Sequence, residues 1–175
     1  MSNIYMYPKN DYETLDSPNP YVVNLETALS KKHKIINTKP NKRGVLDMFV
    51  FMLKSDVFFF NWIENLPNKK YGKIQSVLFF VFVYLSKLLG KKILWVLHNI
   101  YSHEKINQKW NREIFRMMIR KSDLIITHSE GGIDFVNKYF TKHVSKVKYI
   151  IHPVGELMPR RPDVVHTYDL LIWGT

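Results

Sequence analysis

The chain of 175 residues carries 26 Lys and Arg against 15 Asp and Glu, a formal charge of +11, with 46 % apolar residues and no cysteine. That length suits one compact domain, and the apolar content excludes a disordered or low-complexity chain. The lack of cysteine removes a disulfide framework, a thiolate nucleophile and a Cys-based zinc site and fits a reducing cytosol, while the charge surplus points to an anionic partner: nucleic acid, a membrane surface or a phosphorylated substrate.

In chain order, Ile4-Tyr5-Met6-Tyr7 predicts a first strand ended by Pro8, followed by a Pro-, Asn-, Asp- and Ser-rich loop over 8–19. Ser17-Pro18-Asn19-Pro20 supplies cap and first-turn signals for a helix over 20–32. His33 to Asn37 reads as a second strand, 43–53 as a helix, and the continuous run Val57 to Trp62 as a strand covered on both faces. A long apolar helix is expected over 72–89, then a buried strand over 93–97. Residues 105–121 follow as an amphipathic helix with Lys105, Lys109, Arg112, Arg116 and Arg120 along one side. Leu124 to Thr127 is a strand, Ser129 caps a helix over 130–140, and Val147 to Ile151 is a sixth strand. Residues 154–167 read as a linker and Tyr168 to Trp173 as one further strand. Strict alternation of apolar strands with helices predicts an α/β domain over 1–153, an open parallel sheet with helices on both faces.

The charge is unevenly placed. Residues 1–30 are net −3, whereas 31–54 are +6, 67–92 are +6 and 105–121 are +5. Met1 to Tyr7 lacks the basic lead and apolar core of a signal peptide. The most apolar run, Ile74 to Leu89, has 16 residues interrupted by Gln75, Ser76, Ser86 and Lys87. It falls short of the ~20 needed to span a bilayer. Lys69, Lys70 and Lys73 precede it and Lys87, Lys91 and Lys92 follow it. Anionic lipid attracts such clusters by about 1 kcal/mol per residue, so these lysines with Phe79 and Phe80 are the expected membrane contacts.

Open parallel sheets bind ligands beyond the carboxyl ends of their strands. The fourth strand ends in His98-Asn99 and runs into His103-Glu104. The third ends in Asn61-Trp62, the fifth in His128-Ser129-Glu130-Gly131-Gly132, and the sixth in His152. Imidazoles, amides, a hydroxyl and a carboxylate thus gather at one edge. Ser129-Glu130-Gly131 also opens a helix whose N–H groups suit a phosphate or carboxylate. The Gly-x-Gly-x-x-Gly and Gly-Lys-Ser/Thr loops are missing, which argues against dinucleotide oxidoreductases and P-loop NTPases. The histidines lack the spacing of a helical metal pair, so no metal site and no cofactor is expected.

The segments NPYVVNLETALSKK, DVFFFNWIENLP, ILWVLHNIYSHE, SDLIITHSEGGIDFV and VKYIIHPVGE occur in this order. Through them the chain resembles the N-terminal, acceptor-side domain of GT-B fold glycosyltransferases of capsule and exopolysaccharide synthesis, over roughly residues 1–167. The resemblance implies a Rossmann-like domain facing a second one that binds most of the sugar nucleotide. It implies His98 near the transferring sugar as the catalytic residue. Asn99, His103, Glu104, Asn61, His128, Ser129, Glu130, Gly131 and His152 would then be substrate contacts. YDLLIWGT, over 168–175, looks like the first strand of that donor-binding domain. Unlike many members, the chain has no glycine in its first strand–helix loop.

The leading expectation is therefore part of a hexosyltransferase that passes a sugar from a sugar nucleotide to a lipid-linked saccharide, cytoplasmic and peripheral on the inner face of the membrane, this chain alone being inactive. The alternatives are a nonenzymatic acceptor- or membrane-anchoring subunit of a split transferase, and a basic α/β nucleic-acid-binding module. The last is disfavoured, because the basic residues flank an apolar helix rather than alternate with stacking aromatics.

Overall fold

The computed structural model describes residues 1–9, 19–39, 42–98 and 107–151. Six parallel strands form one open sheet: β1 Asn3–Tyr7, β2 Lys34–Ile35, β3 Val57–Asn61, β4 Lys92–Leu97, β5 Leu124–Thr127 and β6 Val147–Tyr149. The spatial order is β2-β1-β3-β4-β5-β6. The helices are α1 Pro20–Ser30, α2 Val45–Phe51, α3 Gly72–Leu88, α4 Gln108–Lys121 and α5 Glu130–Tyr139, with 3₁₀ helices at Ile63–Asn68 and Thr141–Lys146. The architecture is the expected Rossmann-like α/β sheet. The chain steps outward from β1 to β2, then crosses back to β3, so strand order reverses between β1 and β3. A crevice opens at the carboxyl end of such a reversal.

Side chains alternate between the two faces of each strand. Ile4, Phe59, Val96 and Ile126 point to the α1 side, where Leu25 and Leu29 meet them. Tyr5, Phe58, Phe60, Ile93, Trp95 and Ile125 point to the larger core under α2, α3, α4 and α5. There the rings interlock edge-to-face, Phe58 with Phe82 at 4.8 Å and Phe60 with Phe79 at 5.3 Å between centroids. Each such buried aromatic contributes about 1.5–3 kcal/mol by its removal from water.

Several boundaries depart from the sequence pattern for identifiable reasons. The second strand is two residues rather than five. Asn37 leaves the ladder and clamps β1 with its side chain, accepting from the Met6 N–H at 2.9 Å and donating to the Met6 carbonyl at 2.8 Å. The expected helix 43–53 begins at Val45, because Gly44 has φ of 59°. The 3₁₀ helix after β3 contains Pro67, which hides a helical turn from pattern reading.

One expected membrane contact is corrected. Phe79 is fully buried against Phe60 and Phe82, on the side of α3 that faces the sheet. The apolar helix is two-sided, and Phe79 lies on its inward side. Phe80 is half-buried and stacked on Trp110 of α4, centroids 6.4 Å apart. Lys87 is held by Asp123, with Nζ 2.7 and 2.8 Å from the two carboxylate oxygens. Lys69, Lys70, Lys73 and Lys92 are exposed, and Lys91 is half-buried. No helix among the described residues is long and apolar enough to cross a membrane.

Candidate functional site at the carboxyl edge of the sheet

Three of the strand-end residues expected to share an edge come together. Asn61 closes β3, His98 follows β4 and His128 follows β5. Asn61 Oδ1 lies 3.3 Å from His98 Nε2. In this orientation of the amide the Nε2–H donates, which leaves the lone pair of neutral His98 on Nδ1. Asn61 is fully buried, and its Nδ2 has no hydrogen-bond partner among the described residues.

Two aromatic residues complete the cluster. Trp62 lies flat on His98, centroids 4.2 Å apart with planes 12° from parallel. It does so from a left-handed backbone conformation, φ 48° and ψ 26°, that turns the chain out of β3 into the 3₁₀ helix. Tyr21 meets His98 edge-on at 5.0 Å and His128 edge-on at 5.5 Å. It sits in the first turn of α1, fixed there by Pro20 at the helix start and by Asn19, whose side-chain oxygen accepts from the Tyr21 N–H at 3.0 Å.

The hydrogen bonds set the tautomer of the second imidazole. His128 Nδ1 lies 2.7 Å from the Ile150 carbonyl and must donate to it. Neutral His128 then has its acceptor at Nε2, 3.0 Å from the Tyr21 hydroxyl, which donates. Burial pushes the Tyr21 phenol up to about 12, so it stays protonated and available as that donor. The two imidazoles are 5.6 Å apart between centroids.

A buried carboxyl lies just behind. Glu64, two residues after Trp62, is 4 % exposed, and Trp95 Nε1 donates to its Oε2 at 3.4 Å. Burial raises it to about 7, against weaker opposing effects of a backbone N–H and of Trp95.

The start of α5 has a structural duty. Ser129 Oγ accepts from the Gly132 N–H at 3.2 Å, an ordinary cap. Gly132 lets the helix approach β5: a Cβ there would lie 2.2 Å from Thr127 Oγ1. Glu130 and Gly131 are exposed, and the space about Gly131 is open. Asn99, His103, Glu104 and His152 lie outside the described residues, as do 154–167 and 168–175. Among the described residues no group of three His, Asp or Glu could hold a metal ion.

No family model matches the chain, and no curated protein matches it. An indole, a phenol, two imidazoles and a buried amide meet at a sheet edge, with Trp62, His98 and His128 partly open to solvent. Flat aromatic surface beside hydrogen-bonding groups suits a ligand with apolar faces and a polar rim. Tyr21 is the member that the strand ends do not announce, and Trp62, named at the end of the third strand, is not among the expected substrate contacts. The signal for Tyr21 is the Asn19-Pro20 helix start, which puts a first-turn side chain beside the strand termini. The signal for Trp62 is its position directly after Asn61.

Proposed function

We propose that this is the acceptor-side domain of a glycosyltransferase, taking a sugar nucleotide as donor and a lipid-linked saccharide as acceptor. The observation that supports it most is the meeting of Asn61, Trp62, His98, His128 and Tyr21 at the carboxyl ends of β3, β4 and β5, beside the start of α1. In this reading Trp62 covers the acceptor sugar, the buried Tyr21 braces the two imidazoles from behind, and Asn61 orients His98. In an inverting transfer His98 serves as general base toward the attacking hydroxyl. In a retaining transfer it serves as a hydrogen-bond partner. The diphosphate of the donor is, in this reading, held mainly by a second domain that faces this one.

The test is made in cells that express the protein. Membranes are given a radiolabelled sugar nucleotide, and label in the lipid extract is counted. Replacing the wild type by His98→Ala should cut incorporation at least a hundredfold at equal protein level. Unchanged incorporation, or tight RNA binding whose affinity falls steeply with salt, would overturn the reading.

A further inference from the structure

The solvent side of α3 is apolar along its length. Ile74, Val77, Val81, Tyr84 and Leu88 succeed one another at steps of three and four and are 47 to 83 % exposed. The opposite side of the helix is the one that Phe79, Phe82 and Val83 bury in the core. No charged residue lies between Lys73 and Lys87. α2 packs against α3, with Phe49 edge-on to Phe82 at 5.4 Å, and it too exposes an apolar side chain, Val50, at 62 %. Contiguous apolar surface of this kind marks a contact site.

The rim is basic. Lys69, Lys70 and Lys73 are exposed where the strip begins. Lys121 of α4 holds its Nζ 4.5 Å over the Tyr84 ring. Along the exposed side of α4 lie Lys109, Arg112, Arg116 and Arg120, and the single acid on that helix, Glu113, is taken up by Arg116 at 2.7 Å.

We infer that this strip is a membrane-docking face: α3 lies in the plane of an anionic lipid surface, its apolar side in the boundary between headgroups and acyl chains and its basic rim on the lipid phosphates. Charge complementarity selects the occupant. Two copies face to face would set basic rim against basic rim, whereas an anionic bilayer neutralises the rim and receives the aliphatic side chains. The strip belongs to the helix layer and shares no residue with the strand-edge cluster, so it stands independently of the transferase reading.

The absence of native cysteine permits clean single-site labelling. The full chain is tested by flotation with phosphatidylcholine vesicles containing 30 % phosphatidylglycerol or none. A spin label is placed at Val81→Cys and, as a control, at the exposed Asn137→Cys on α5. Expected are at least tenfold tighter binding to the anionic vesicles and a label at 81 that becomes more accessible to oxygen than to a water-soluble nickel complex, with no such change at 137. The doubly substituted V77E/V81E chain, altered only at exposed positions, should keep its circular dichroism spectrum and bind at least tenfold more weakly. Lack of binding to anionic vesicles, binding that V77E/V81E leaves intact, or self-association that the same variant abolishes without vesicle binding would each overturn the inference.

Discussion

Trp62 lies against His98 with its ring plane 12° from parallel and 4.2 Å away, and it reaches that position only by adopting a left-handed backbone at the end of β3. The stack ties the conformation of a turn to the orientation of a strand-end imidazole. Trp62→Ala removes the stack and the contact with Tyr21 at 5.7 Å while keeping an L residue in the left-handed region. The expected loss is about 1–3 kcal/mol of stability, measured by urea unfolding. Trp62→Gly, freed from the backbone constraint, should lose less than Trp62→Ala.

Glu64 gives stability a defined pH dependence. Below its ordinary value of 4.5 the carboxyl is protonated whether folded or unfolded. As pH rises towards about 7, the unfolded chain ionises while the folded one holds its proton, so stability falls across that window and the penalty is constant above it. The penalty is of the order of 3 kcal/mol. Glu64→Gln keeps the shape and an acceptor for Trp95. It should raise the melting temperature at pH 8 and flatten the profile between pH 5 and 7 (about the window just derived). An unaltered profile would show that water reaches this carboxyl.

Asp123 has the opposite sign. Burial raises its carboxyl, but hydrogen bonds from Lys87 and the Ile93 N–H, with the charges of Lys87 and Lys92, outweigh that and hold it below its ordinary value. Its contribution is therefore present above 3.8 and disappears as pH falls through the depressed value. Asp123→Asn should cost about 1–2 kcal/mol at neutral pH. The variant and the wild type should converge in acid, as urea titrations at neutral and acid pH would show.

Gly132 tests how closely α5 must sit on β5. Gly132→Ala places a methyl 2.2 Å from Thr127 Oγ1, where Thr127 is fully buried. A destabilisation of about 1–3 kcal/mol is expected. Adding Thr127→Ala should recover part of it, as a double-mutant cycle on melting temperature would reveal.

The fold is legible in the sequence because the central strands are compact apolar runs and the long helices show a helical period. Val57 to Phe60 and Ile93 to Leu97 need no tertiary information to be read as buried strands. The edge rule for parallel sheets then places Asn61, His98 and His128 together. What stays hidden depends on contacts between distant segments. Tyr21 enters the cluster from α1, 107 positions before the His128 it bonds. Asn37 ends β2 by turning its side chain onto β1. Glu64 reads as a surface acid until the 3₁₀ helix buries it. Both sides of α3 carry apolar residues, and the packing of Phe79 and Phe82 shows which one faces the sheet.

The assignment of the strand edge as a saccharide site is tested most directly by residue-resolved NMR. The ¹⁵N-labelled chain is titrated with neutral oligosaccharides while the indole and imidazole resonances are followed. The signals of Trp62, His98 and His128 should shift together and saturably, those of Trp95 and Trp110 should not move, and Trp62→Ala should weaken the binding at least tenfold. Oligosaccharides that shift none of the three, or that shift Trp110 in their place, would contradict it.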